Sequence, residues 1–215
     1  MSQVTFITGI DTDAGKSYAT GWLARELASQ GLKVATQKFI QTGCDAFSED
    51  IELHRKITGT GPLPEDTDHT TAPVVLSYPA SAQLAARIDG REIDLTAIDR
   101  STAVLAERYD RVLIEGAGGL MVPITDDYFA IDYVTDRKLP VMLVTNSRLG
   151  SINHTVLSLE AIKSRGIKLE AVLYNHYFDA AAGKPIADDT RAYTERYVSR
   201  HFPGTAIIDI PTIKL

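Results

Sequence analysis

Gly9-Ile10-Asp11-Thr12-Asp13-Ala14-Gly15-Lys16-Ser17 is the stretch whose residue types and spacing point most directly to chemistry. An apolar, β-branched run from Val4 to Thr8 leads into it, and a helix is predicted to open near Gly15. A glycine-bounded loop between a strand and a helix that begins Gly-Lys-Ser is an arrangement that cradles phosphates. Successive loop N–H groups form an anion nest, and the helix N-terminus adds the positive end of its dipole. Lys16 would bring a point charge to the outer phosphates, and the Ser17 hydroxyl would sit on Mg²⁺. Five residues, rather than the commoner four, separate Gly9 from Gly15.

Other chemically capable residues fall where predicted strands end. Lys38 closes a run from Leu32 to Phe39. It reads either as a solvated strand-end lysine or as a second cation beside Lys16, which suits a site that transfers phosphoryl groups by electrostatics. Glu115 follows four residues of strand character and precedes Gly116-Ala117-Gly118-Gly119. A carboxylate there fits a metal-holding acid better than a structural salt bridge. Asp50, near a helix start, serves the helix dipole or a metal. His54, His69, His154, His176 and His201 show no metal-ligand spacing, and Cys44 reads as a small buried residue rather than a nucleophile.

The elements that must position these groups alternate between strand and helix. A helix is predicted over 17–29, closed by Gly31, then the strand ending at Lys38 and an amphipathic helix over 49–58. Residues 59–79 are rich in Thr, Pro, Asp and Gly and read as loop, with a short strand at Val74-Val75-Leu76. Helices follow at 81–88 and 94–108, then strands at 111–115, 141–145, 169–174 and 206–210, with helices over 152–164 and 188–201. Continuous Val/Ile/Leu strands alternating with helices imply an α/β fold, a mostly parallel sheet covered on both faces, of the P-loop NTPase type. Ligands of such sheets lie beyond the carboxyl ends of the strands. The 9–17 loop, Lys38, Glu115, Asn146 and Asn175 all belong to that edge.

Bulk properties narrow the class. With 215 residues, the chain is expected to form a single domain over 1–215. A formal charge of −6 and the lack of a basic stripe argue against a nucleic-acid surface. One cysteine excludes an internal disulfide framework. No stretch approaches the ~18 apolar residues of a membrane span, and the N-terminus has no leader pattern, so a cytoplasmic protein is expected.

Four motifs together resemble dethiobiotin synthetase: the 9–17 loop, Lys38-Phe39-Ile40-Gln41-Thr42-Gly43, Glu115-Gly116-Ala117-Gly118-Gly119 and Leu149-Gly150-Ser151-Ile152-Asn153-His154. They occur in order over nearly the whole chain. The resemblance implies ATP-dependent closure of a ureido ring on 7,8-diaminopelargonic acid with CO₂, by way of a carbamate and a carbamic–phosphoric anhydride. It implies catalytic roles for Lys16 and Lys38, and Mg²⁺ held by Ser17, Asp50 and Glu115. Nucleotide would contact Thr12, Asp13, Ala14, Gly15, Lys16, Ser17 and Tyr18, then Glu115, Gly116, Ala117 and Gly118, with Asn175, His176 and Pro211 near adenine. Diamine would meet Thr12, Lys38, Thr42 and Gly118, and its carboxylate tail Leu149, Gly150, Ser151 and Asn153 across a homodimer interface. The sequence departs from the family pattern at Phe39, where proline is usual, and at Tyr78-Pro79-Ala80-Ser81, where a histidine is usual. A rival reading, a switch ATPase of the partitioning type, would require an early signature lysine where Asp11 stands.

Overall fold

A computed structural model describes residues 3–215. Strand β1 (Gln3–Gly9) runs into the phosphate-type loop, which contains a short 3₁₀ turn over Thr12–Ala14, and on into helix α1 (Lys16–Ser29). β2 (Val34–Lys38), β3 (Gln41–Thr42), α2 (Glu49–Thr58), α3 (Pro64–Thr67) and β4 (Val75–Leu76) follow. Next come α4 (Ala82–Ile88), α5 (Leu95–Arg108), β5 (Arg111–Glu115), α6 (Ala130–Asp136), β6 (Val141–Asn146) and α7 (Ser151–Ser164). The chain closes with β7 (Leu169–Asn175), α8 (Asp179–Ala182), α9 (Lys184–His201) and β8 (Ala206–Ile210).

Six strands form one parallel sheet in the order β2-β5-β1-β6-β7-β8. All six residues of β6 are buried, as are the last four of β2 and of β5. Strands buried on both faces need covering layers on both, which explains their continuous apolar runs. After β1 the chain crosses towards β2, whereas after β6 it moves to β7 and β8, so the strand order reverses beside β1. A crevice at the carboxyl end of β1 follows from that reversal.

Register does the fine positioning. β2 and β5 align Lys38 with Glu115, and β1 aligns Ile7 with the same Glu115. Phe39, where proline is usual in the resembled family, fills the core behind the site. Its ring lies 5.3 Å from Phe6 and 4.6 Å from Tyr133 between centroids.

The structure corrects several boundaries. Residues 59–79 are not all loop: α3 forms at Pro64, where the missing N–H is no loss at a first helical position. Asp66 fixes it by accepting from Leu63 N–H and from Arg55. Helices α6 and α8 were not expected, α9 begins at Lys184 rather than 188, and β2 begins at Val34 rather than Leu32. Among the described residues no helix is long and apolar enough to cross a membrane.

Candidate active site

The loop after β1 is held by its own backbone demands. Asp11 accepts from Thr12 N–H at 2.7 Å and starts the 3₁₀ turn. Gly15 then adopts φ +90°, and a Cβ there would lie 2.1 Å from Asn175 Nδ2. Only glycine meets both conditions. Asn175, from the end of β7, donates through Nδ2 to Ala14 O and accepts through Oδ1 from Tyr177 N–H, so it pins the loop to the far side of the crevice.

Helix α2 brings in the third wall. Ser48 caps it by accepting from Ile51 N–H, and donates to Gln41 just beyond β2. The first turn of α2 thereby carries Asp50 to the mouth of β2. A close approach of α2 to α1 makes this possible: a Cβ on Gly21 would meet Ile57 Cδ1 at 2.9 Å.

Four side chains from four elements converge where these walls meet. Ser17 Oγ lies 2.6 Å from Asp50 Oδ1 and 2.8 Å from Glu115 Oε1. Lys38 Nζ donates to Glu115 Oε1 at 2.8 Å, to Gly116 O at 3.3 Å, and also pairs with Asp50. Glu115 is fully buried and its second oxygen, Oε2, stands 2.7 Å from His54 Nε2. Burial opposes its charge, but Lys38 and His54 outweigh that and hold the carboxyl well below the usual carboxylate range. Burial also works against the Lys38 ammonium, and Glu115 and Asp50 reverse the balance, raising it above the ordinary lysine value.

Lys16 contrasts with Lys38. It turns back onto the loop, donating to Asp11 O at 3.0 Å and Thr12 O at 2.9 Å. Burial pushes it down to about 8, with Glu115 resisting the shift.

A cleft of about 500 Å³ opens over this cluster. Of the residues singled out from sequence, it is lined by Thr12, Asp13, Gly15, Lys16, Ser17, Tyr18, Lys38, Thr42, Asp50, Glu115, Ala117, Gly118, Asn175 and Pro211. Ala14 and Gly116 are buried beside it and do not line it. His176 is turned away: its ring nitrogens meet Asp179 at 2.6 Å and Asp209 at 2.9 Å. Leu149, Gly150, Ser151 and Asn153 stand at the start of α7, outside the cleft. Asn146 accepts from Arg148 N–H and Ser151 Oγ, and so shapes that helix start instead of lining the cleft.

Sequence reasoning passed over Ile40, Gln41, Leu53, Tyr177, Phe178 and Ile213, which complete the walls. Ile40 and Gln41 sit inside a motif already singled out. The aromatic pair comes one residue after the strand-end Asn175, which was the available signal. His54 was also missed; its signal was a spacing of four from Asp50, which places both on one face of α2.

A divalent cation fits the donor set. Ser17, Asp50 and Glu115 offer only oxygen, and Asp50 and Glu115 share Lys38 as their direct ion-pair partner. Mg²⁺ is bound in this way, by one or two carboxylates completed by substrate phosphates and water. Among the described residues no group of three His, Cys, Asp or Glu could hold a metal by itself.

A parallel sheet with a phosphate-type loop at its switch point and a strand-end acid beside it defines a P-loop nucleotide-binding fold. Solved structures agree on the fold. Apo McdA of Cyanothece superposes with a TM-score of 0.56 at 14% identity, covering 100% of this chain and 87% of that one. The signal recognition particle receptor FtsY of Elizabethkingia anophelis gives 0.53 at 15%, covering 96% of this chain and 57% of the other. The profile of an AAA domain family matches residues 3–215. Curated relatives are closer. The ATP-dependent dethiobiotin synthetase of Pasteurella multocida is 46% identical over 205 residues, 95% of each chain. That of Haemophilus influenzae is 51% identical over 177 residues, 82% of this chain and 93% of the relative. That of Chlorobaculum tepidum is 49% identical over 211 residues, 98% and 87%. The chain belongs to the ATP-dependent dethiobiotin synthetase family, and so is an enzyme and not an inactive binding module.

Proposed function

We propose that this enzyme closes a ureido ring on 7,8-diaminopelargonic acid, using CO₂ and ATP, and releases dethiobiotin, ADP and phosphate. The observation that carries the reading is the convergence of Lys16, Ser17, Lys38, Asp50 and Glu115 on one cleft in a chain of this family. An amine of the diamine adds to CO₂ and loses a proton, giving a carbamate. A carbamate oxygen attacks the γ-phosphorus and ADP leaves. The second amine then attacks the carbonyl carbon of the mixed anhydride, phosphate leaves, and the ring closes.

The carbamate and the transferring phosphoryl group are anionic, and the residues answer that charge. Lys38 stays cationic because Glu115 and Asp50 hold it so, and it would stabilise the carbamate and the moving phosphoryl group. Lys16 would exchange the carbonyls of Asp11 and Thr12 for phosphate oxygens. Ser17, Asp50 and Glu115 would hold Mg²⁺, which when bound neutralises phosphate charge. Thr12, Thr42 and Gly118 would bound the diamine, and Asn175 and Pro211 the adenine, with Tyr177 and Phe178 as further wall.

The same reading makes the enzyme a homodimer. Leu149, 89% exposed, and Leu157, 61% exposed, leave apolar surface at the start and outer side of α7. The N-terminus of that helix, with Asn153, would take a substrate carboxylate from the partner's cleft. Ser151 is buried and spends its N–H on Arg148 O and its hydroxyl on Asn146, so it would shape the helix start without touching the carboxylate.

Phosphate release from ATP and Mg²⁺, with and without diamine and bicarbonate, tests the proposal when coupled to mass analysis of the product. Diamine-dependent release with a ring-closed product is expected. Release indifferent to diamine would replace the ligase reading with that of a switch ATPase.

A further inference from the structure

His54 touches the proposed chemistry without having a part in it. It lies one turn beyond Asp50 on α2, and its side chain is fully buried. Nε2 stands 2.7 Å from Glu115 Oε2. An ionised carboxylate only accepts, so Nε2 carries the hydrogen. Nδ1 has no partner among the described residues. Glu115 is thus the single polar anchor of the ring.

The two oxygens of Glu115 divide their work. Oε1 receives Lys38 and lies 2.8 Å from Ser17 Oγ, whose single hydrogen it shares with Asp50, and Oε2 receives only His54 among the described hydrogen bonds. The approach is built in, because a Cβ on Gly21 would come within 3.3 Å of His54 Cα. When Lys38 moves onto substrate oxygens, Glu115 keeps His54 as its one undivided protein donor among the described hydrogen bonds, because Ser17 shares its hydrogen with Asp50. A buried carboxylate that loses a donor bears its desolvation cost or turns to find another. The donor already in contact with Glu115 is Lys38, whose ammonium would then be held back from the reaction.

We propose that His54 is a positioning residue: it fixes Oε2 of Glu115, so that Oε1 faces Ser17 for the metal and Lys38 is free to meet the phosphoryl group. This rests on the ligase reading above. Partners behind metal ligands of this kind commonly change metal affinity or activity by about 10–100-fold when removed.

Three variants separate positioning from packing. His54→Gln places an amide nitrogen where Nε2 is, His54→Asn stops at the reach of Nδ1, and His54→Leu has no donor. Turnover is read alongside the Mg²⁺ concentration that half-saturates ADP binding by calorimetry, which needs no reaction. The Leu and Asn variants are expected to lose about tenfold or more in kcat and in Mg²⁺ affinity, with diamine KM little changed, while Gln recovers most of both. Equal behaviour of Asn and Gln would overturn the proposal, as would kcat losses that follow thermal stability alone. Should the Leu variant not fold, the Asn and Gln pair decides. If wild type shows no diamine-dependent turnover, the ligase reading fails, and the Mg²⁺ titrations still decide the role of His54.

Discussion

At the end of the cleft proposed for the phosphates, Lys38 and His54 are buried and both bonded to Glu115; at the end proposed for the base, Tyr177 and Pro211 lie exposed. The first region is assembled from strand ends in fixed register and from a capped helix. The second hangs on surface ion pairs, with His176 and Arg191 both gripping Asp209 at the end of β8. Buried pairs lose much when one member is removed, whereas exposed ones contribute little and are screened by solvent. The molecule therefore concentrates its rigidity at the end proposed for phosphoryl transfer. The end proposed for the base is left to exposed apolar and aromatic groups, where small adjustments cost little.

Breaking the buried end should have the largest effect. Lys38→Ala is expected to lower diamine-dependent phosphate release by at least about a thousandfold, the scale seen when a charge on a transferring phosphoryl group is removed. It also leaves Glu115 short of a cation, so a stability loss of about 3 kcal/mol in urea unfolding should accompany it. Nucleotide affinity should change far less. Full activity would remove Lys38 from the mechanism and dissolve the contrast between the two ends.

Gly15→Ala attacks the joint between them. The added methyl needs φ +90° and collides with Asn175. A destabilisation of about 1–3 kcal/mol and a clear rise in the KM for ATP are expected from thermal melts and initial rates. An Asn175→Ala change in the same background should relieve the collision but not the φ cost.

Asn153→Ala tests a region that belongs to neither end of the cleft. With the carboxylate read across a dimer, the KM for diamine should rise about tenfold, the scale of one lost hydrogen bond to a charge, with ATP binding unaltered. An unchanged diamine KM would leave the start of α7 without a substrate role.

The smallest effect should come from the base end. Burial opposes the charge on His176, yet Asp179 and Asp209 prevail and raise it above the ordinary value of about 6.5. A raised value means the stabilisation is complete below pH 6.5 and fades as pH climbs through the folded-state value. Asp209 is depressed chiefly by Arg191, so on the acid side the tie is lost only as pH falls through that lowered value. The melting-temperature lead of wild type over His176→Gln should therefore shrink from pH 6 to pH 9. A constant lead would show that the ion pairs do not hold this region.

Much of this was legible in the chain because strand ends in a parallel sheet announce themselves. Strand-like runs stopping at Lys38 and Glu115 place both groups at one edge from the sequence alone. What stayed hidden depends on partners far along the sequence. His54 shows no metal-ligand spacing, and its spacing of four from Asp50 could not name its partner, since Glu115 lies 61 positions away. Helix α6 has seven residues and one side-chain cap, Asp132 accepting from Phe129 N–H, and it forms because Ile131, Tyr133 and Val134 are buried by the surrounding fold. Tertiary burial overrides a weak local signal there. Helix α3 depends in the same way on Arg55 reaching Asp66 from another element.

The alignment of Lys38 with Glu115 also bears on how the chain finds its fold. Side chains alternate along a strand, so sliding β2 by one residue against β5 would turn Lys38 to the opposite layer. Glu115 would then sit in a dry interior without its cation, a heavy penalty for an otherwise plausible pairing of two apolar strands. Val34 to Thr36 and Val112 to Ile114 are greasy enough to tolerate such a slip on their own. The ion pair at their ends acts as a ratchet, rejecting mispaired sheets before any substrate arrives.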